Sequence, residues 1–209
     1  TRVMLEDLIV ENHTTPSIIP NLEDVAISPD NVKLSGLASS QVANVLNPNG
    51  FNGNLTWPNS FTVDADVGRW DRTSRFLVVG KRGNDYVSVL KHSSNVFSKT
   101  MDIQEIGKTV YNIAMSPYAN QMAVVWLSGG VYTTKLYRRL GSFYQEIQTI
   151  ANFGQLIDFS ADGTIIVDCS AKKALKRNGL TGVFEANDAM VVNVATGVVR
   201  QALSDHVPV

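Results

Sequence analysis

Trp70-Asp71-Arg72-Thr73-Ser74-Arg75-Phe76-Leu77-Val78-Val79-Gly80 sets a polar turn between an aromatic residue and an unbroken apolar run. Asp, Thr and Ser turn the chain by hydrogen-bonding nearby backbone, and Phe76 to Val79 has the length and composition of a strand buried on both faces. The same signal returns as Ile27-Ser28-Pro29-Asp30, Met115-Ser116-Pro117-Tyr118 and Phe159-Ser160-Ala161-Asp162. The anchors Ile27, Trp70, Met115 and Phe159 lie 43, 45 and 44 residues apart, and Val25, Gly68, Ile113 and Ile157 stand two residues before them. An even period of this length marks a repeat architecture, and it decides the fold before any single element is assigned.

The third repeat is the clearest. Residues 110–116 alternate in strand fashion, 121–126 form a continuous apolar run closed by Ser128-Gly129-Gly130, 131–139 alternate again, and 143–150 complete the unit after Leu140-Gly141-Ser142. The second repeat follows the same order, with strands expected at 66–71, 75–79, 86–91 and 96–103. In the fourth, strands are expected at 156–160, 165–169, 190–194 and 198–203, with residues 170–187 read as an insertion between the second and third. The first is the most degenerate, its stretch 47–59 being rich in Asn, Gly and Pro. Four antiparallel strands per 40 to 45 residues make a propeller blade. The expected fold is therefore all-β: a β-propeller of about four four-stranded antiparallel blades, complete in itself or part of a larger ring. The divisions are an N-terminal arm or closing strand (1–21), blades at 22–63, 64–108, 109–152 and 153–203, and a tail at 204–209.

Composition narrows the function. Eighteen basic and 19 acidic residues leave a net charge of −1, so no bulk field recruits nucleic acid or an anionic membrane. The longest apolar stretches fall far short of a bilayer span, and residues 1–10 carry acids in place of a basic signal-peptide region. The chain opens on Thr1 rather than Met, as expected of a processed chain or a fragment. Cys169 has no partner in the sequence and reads as a buried structural thiol.

The stretch 70–80, with Asp85-Tyr86-Val87-Ser88-Val89-Leu90-Lys91 and Val96-Phe97-Ser98-Lys99 after it, resembles WD40-like propeller repeats. The third repeat is similar through Met115-Ser116-Pro117, Met122-Ala123-Val124-Val125 and Thr134-Lys135-Leu136-Tyr137-Arg138-Arg139 followed by Phe143. Repeats of this form resemble those in structural proteins of tailed bacteriophages. The Gly-His pair before the first strand and the Trp-Asp pair closing the third, both part of the eukaryotic pattern, are absent. The resemblance covers about two-thirds of the chain and implies a fold, protein partners within a larger assembly and a place in the virion; it carries over no catalytic set.

Candidate chemistry is sparse. His13, His92 and His206 stand singly, without metal-ligand spacing. Asp162-Gly163 and Asn84-Asp85 lack the ligand series of a calcium loop and read as turns. Ser28, Ser116 and Ser160 recur at equivalent positions, as turn-capping hydroxyls do and a unique nucleophile does not. Asp64, Asp66 and Asp71 form a carboxylate group of unknown geometry. Lys172, Lys173, Lys176 and Arg177 are the densest charge run and, with Trp57, are the candidate partner contacts. The expectation is a non-enzymatic interaction propeller without cofactor or metal, soluble and binding protein rather than nucleic acid or membrane. The alternative is a carbohydrate- or receptor-binding propeller used for attachment.

Overall fold

In the computed structural model, residues 22–186 are described, except for 31–32, 39–40, 47–58, 95 and 118–119. The described residues form β1 (Leu22–Ile27), β2 (Lys33–Ala38), β3 (Gln41–Leu46), β4 (Asn59–Thr62), β5 (Val67–Trp70), β6 (Phe76–Gly80), β7 (Tyr86–Ser93) and β8 (Val96–Gln104). They continue with β9 (Thr109–Met115), β10 (Gln121–Ser128), β11 (Val131–Leu140), β12 (Phe143–Ala151), β13 (Ile157–Phe159), β14 (Ile165–Asp168), β15 (Lys173–Arg177) and β16 (Phe184–Ala186). Each consecutive set of four is one antiparallel sheet in chain order, so all four sheets are simple meanders. The strands expected in the second and third repeats are all present.

The apolar second strands explain the packing. In β6, Leu77 and Val79 join a core with Leu37, Ala65 and Leu90 between the first two blades. Val78, which lies between them in sequence, joins Val89, Val124 and Trp126 between the second and third. In β10, Met122, Val124 and Trp126 face the second blade, whereas Ala123 and Val125 join Leu136, Phe159 and Ile166 between the third and fourth. The side-chain period of two therefore delivers each apolar run to two cores at once. Gly68 holds the place where the other repeats carry larger apolar residues because Leu37 of the neighbouring blade leaves no room: a Cβ at residue 68 would lie 2.9 Å from Leu37 Cδ2. The innermost strands follow one another as β1, β5, β9 and β13, and no comparably packed junction returns from β13 to β1 among the described residues. Among the described residues the blades form an arc.

The turn between the first and second strands is where the repeat is most exact. The N–H of Ser28 donates to Lys33 O, Asp71 to Phe76 O, Ser116 to Gln121 O and Ser160 to Ile165 O, at 2.8–2.9 Å throughout. Ser28 Oγ and Ser160 Oγ also accept the returning amides of Lys33 and Ile165 at 2.9 and 3.0 Å. These serines are turn caps, as their recurrence implied. In the second blade Asp71 takes the place of Ser. Its Oδ1 accepts from the amides of Arg75 and Phe76 at 3.0 and 2.9 Å, and its Oδ2 lies 3.3 Å from Arg139 Nη1 of the third blade. The Arg139 guanidinium sits over the Phe76 ring at 4.8 Å. This ion pair is almost fully buried and fastens one blade to the next.

Two readings are corrected. Residues 170–187 are not an insertion: β15 and β16 lie inside them and complete the fourth sheet. Cys169 is half-buried rather than buried, at the end of β14 beside a turn. The strands expected at 190–203 fall outside the described residues, as do the N-terminal arm, the C-terminal tail and Trp57.

Removing Asp71 takes the acceptor from the buried amide of Phe76 and the part-buried amide of Arg75, and the partner from the largely buried Arg139 guanidinium. Asp71→Ala is expected to lower the unfolding free energy by about 3 kcal/mol. Asp71→Ser, the residue of the other three turns, should recover part of that loss by recapping the turn without the ion pair. Urea unfolding of the three proteins decides it, and equal midpoints for Ala and wild type would refute the role.

Candidate interaction surface and the opposite end

In a four-stranded meander the first and third turns lie at one end of the blade, the second turn and the inter-blade link at the other. Contacts between blades set the same end of each together. The N–H of Asp30 donates to Ser74 Oγ across the first turns of blades one and two. Asp71 meets Arg139 across blades two and three, and Arg138 Nη2 lies 3.5 Å from the position of a Gly182 Cβ across blades three and four.

At that shared end the third turns carry apolar side chains in water. Val96 in the second blade is 61% exposed, Leu140 and Phe143 in the third are 41% and 53%, and Leu180 in the fourth is 99%. An isolated exposed apolar residue is ordinary; recurrence at an equivalent turn in three successive blades makes a surface. Beside each tip stands a cation near the end of the third strand: Lys91 and Arg138 exposed, Arg177 half-buried. Arg72 and Arg75, also exposed, lie on the first turn of blade two. The acids at this end are engaged. Asp71 is paired with Arg139, Asp30 with Lys33 at 2.8 Å, and Glu185 accepts from Asn178 Nδ2 at 3.3 Å. Asp162 accepts from Ser160 and Thr164, whose hydrogen bonds hold its carboxyl below the usual range. A chain of net charge −1 thus has a positive end.

The expected partner contacts do not form one patch. Lys172 lies in the turn between β14 and β15, at φ 53°, at the opposite end of the blade. The pleat of β15 sends Lys173 and Arg177 to one face of the sheet and Lys176 to the other, where Lys176 stands across from Glu185 on β16. The strand separates what the sequence set side by side. Lys91, Arg138, Leu140, Phe143 and Leu180 were not singled out by sequence reasoning, although the recurring basic residue before each third turn, in Lys91, Arg138-Arg139 and Lys176-Arg177, was legible.

At the opposite end Asp168, buried, fixes the link into the fourth blade. Its carboxylate accepts from the amides of Gly154 at 2.7 Å, Ser170 at 3.1 Å and Ala171 at 3.3 Å and from Ser170 Oγ at 2.6 Å. Gly154 is at φ 128° with no space for a side chain, a Cβ meeting Thr134 Oγ1 at 2.1 Å. Asp64, Asp66 and Asp71 are separated in the same way by structural duties. Asp66 accepts the amide of Arg82 at 2.8 Å, and Asp64 accepts from Asn84 and Tyr86. His92 packs against Trp70 and Phe97, and burial, with the charge of Lys33, lowers its pKa. Among the described residues no group of three or more His, Cys, Asp or Glu is placed to hold a metal, and no helix is long and apolar enough to cross a membrane.

With this geometry in place, comparison with solved structures fixes the architecture. The chain superposes on a "putative 6-phosphogluconolactonase" from Bacteroides uniformis with a TM-score of 0.65 and 12% identity, over 87% of this chain and 59% of that one. A second protein of that description, from Bacteroides fragilis, gives 0.64 and 13%, over 85% and 56%. The β-propeller domain of Cps50 (Swd1) from Myceliophteria thermophila gives 0.59 and 11%, over 87% and 60%. The architecture is a WD40-like β-propeller. The chain spans about three-fifths of the length of these propellers. No family model and no curated relative matches the sequence. At such identities the likeness carries the fold alone, but it overturns one expectation: proteins named as lactonases share this architecture, so the assignment as a non-enzyme is withdrawn.

Burial pushes the Asp168 carboxyl upward, but the hydrogen bonds from Ser170, Gly154, Ala171 and Leu156 outweigh it and hold the pKa below the ordinary Asp value. A depressed native pKa gives stability that is fully present above about pH 4 and is lost as pH falls through the native value. Asp168→Asn should therefore flatten the acid limb of the stability curve while lowering stability at neutral pH. Urea midpoints measured across the acid range test this, and an unchanged acid limb would rule it out.

Proposed function

We propose that the chain is an interaction module that binds an acidic protein partner through the positive, apolar-tipped end of its blades, within a larger assembly. The observation that carries this is the repetition of an exposed apolar tip beside a cation at the third turns of three consecutive blades. Apolar tips supply area that water leaves readily on docking, and the cations give orientation and association rate toward an acidic surface. The likeness of the repeats to those of tailed-bacteriophage structural proteins supports the virion as the setting of that assembly. Lys172, Lys173, Lys176 and Arg177 would then contribute unequally, with Arg177 nearest the docking end.

Cross-linking with a lysine-reactive reagent in the native source distinguishes the two ends. Links to other proteins should concentrate on Lys91, and Lys91→Glu combined with Arg138→Glu should weaken capture of the linked partner at least about tenfold. Links arising instead from Lys81, Lys108 and Lys172 would move the interface to the other end and refute the reading.

A further inference from the structure

Away from the docking end, a groove of about 550 Å³ opens between the outer strands of the first and second blades. That size lies within the range of roughly 300–1,000 Å³ typical of ligand clefts. Its apolar side is Phe61 and Val63 of the first blade, which also pack on the core between the two blades. Its polar side is one face of β7 and β8, where the register sets Tyr86 opposite Gln104 and Ser88 opposite Asp102. Asp64, on the link between the blades, closes the groove by accepting from Tyr86 Oη at 3.3 Å and Asn84 Nδ2 at 3.2 Å. Asp102 accepts from Ser88 Oγ at 2.6 Å and from Lys99 Nζ at 2.9 Å.

The polar groups are thus built in donor–acceptor pairs beside an aromatic and aliphatic wall. Two carboxylates repel phosphate and other anions, and the Lys99 ammonium already occupies the Asp102 oxygen that a lone cation would need. A neutral polyhydroxylated ring suits both halves: its hydroxyls donate to the carboxylates and to Tyr86 Oη and accept from Lys99, while its C–H face lies on Phe61 and Tyr86. Burial and the neighbouring Asp64 charge push the Tyr86 hydroxyl upward, and its proton is held in the bond to Asp64. We infer that the groove between the first and second blades is a binding site for a neutral saccharide. The site stands apart from the docking surface and does not depend on it. The cavity between blades three and four, about 270 Å³, differs in kind, because it is lined by Gly154 and by Asp168, whose carboxylate is taken up by backbone amides.

Titration of the full chain by amide NMR tests the inference, with methyl glycosides of glucose, galactose, mannose and N-acetylglucosamine, inorganic phosphate and calcium chloride as separate arms. At least one neutral glycoside should shift the amides of residues 61–64, 86–88 and 99–104. Asp64→Asn should weaken it about tenfold, and Gln104→Ala, on an exposed side chain, should weaken it measurably with the fold intact. Lys91→Glu, at the docking end, should leave it unchanged, so failure of the protein-binding reading would not register here. Response to phosphate or calcium in place of a glycoside, glycoside binding unaltered in both groove variants, or no response in any arm would each overturn the assignment.

Discussion

The structure rests on strands that are apolar on both faces. A sheet with one apolar face can be covered by a single partner; a blade whose second strand reads Phe76-Leu77-Val78-Val79 or Met122-Ala123-Val124-Val125-Trp126 needs one on each side. Val78 and Val79 point into different cores, as do Val124 and Val125. No blade here is a folding unit in isolation, and each core belongs to two repeats. The arc follows from this: successive blades supply one another's cover, so the chain order of the repeats is their order in space.

Buried apolar contact is non-directional, and it leaves the angle between blades undetermined. Polar contacts at the two ends supply that. At the docking end, Asp71 caps its own turn and pairs with Arg139 of the next blade, so a local turn and an interblade angle share one carboxylate. At the other end, Asp168 gathers the amides of the link and of its own hairpin. Both are buried acids in a chain whose charges are nearly balanced, and both occur where a repeat departs from its siblings. Divergence among the repeats thus marks the joints.

The legibility of the sequence followed the strength of the local signal. Blades two and three were readable because turn chemistry, alternation and period coincide there. Blade four misled because its third strand is Lys173-Ala174-Leu175-Lys176-Arg177, with too few apolar residues to stand out, while the Val-rich segments 190–194 and 198–203 have stronger β character. Pairing decided otherwise, since Ile166 and Val167 stand opposite Leu175 and Ala174 and only two apolar positions are needed to cover them. The candidate cations stand apart in space for a related reason: neighbours in sequence are opposite in a strand. The docking end was written in the sequence, but in residues that acquire meaning only when the third turns of three blades are brought to one side.

The two ends differ in how their polar groups are arranged, although both expose apolar side chains, with Ile106, Val131 and Leu156 at the end opposite the third turns. At the docking end cations and apolar tips project from hairpin turns, where side chains are free to reach a surface, and the acids are held in local pairs. Between blades one and two, at the other end, carboxylates, a tyrosine and a lysine converge on a concave space walled by Phe61 and Val63. A convex positive surface suits a large partner and a concave balanced one a small ring. Because the meander places alternate turns at opposite ends, the same blade carries both: Lys91 stands near the end of the third strand of blade two, and Tyr86 opens that strand at the other. Binding at the two places would be coupled only through the packed strand between them, whose Val87, Val89 and Leu90 are fully buried, and a strand fixed in two cores has little freedom to transmit a displacement.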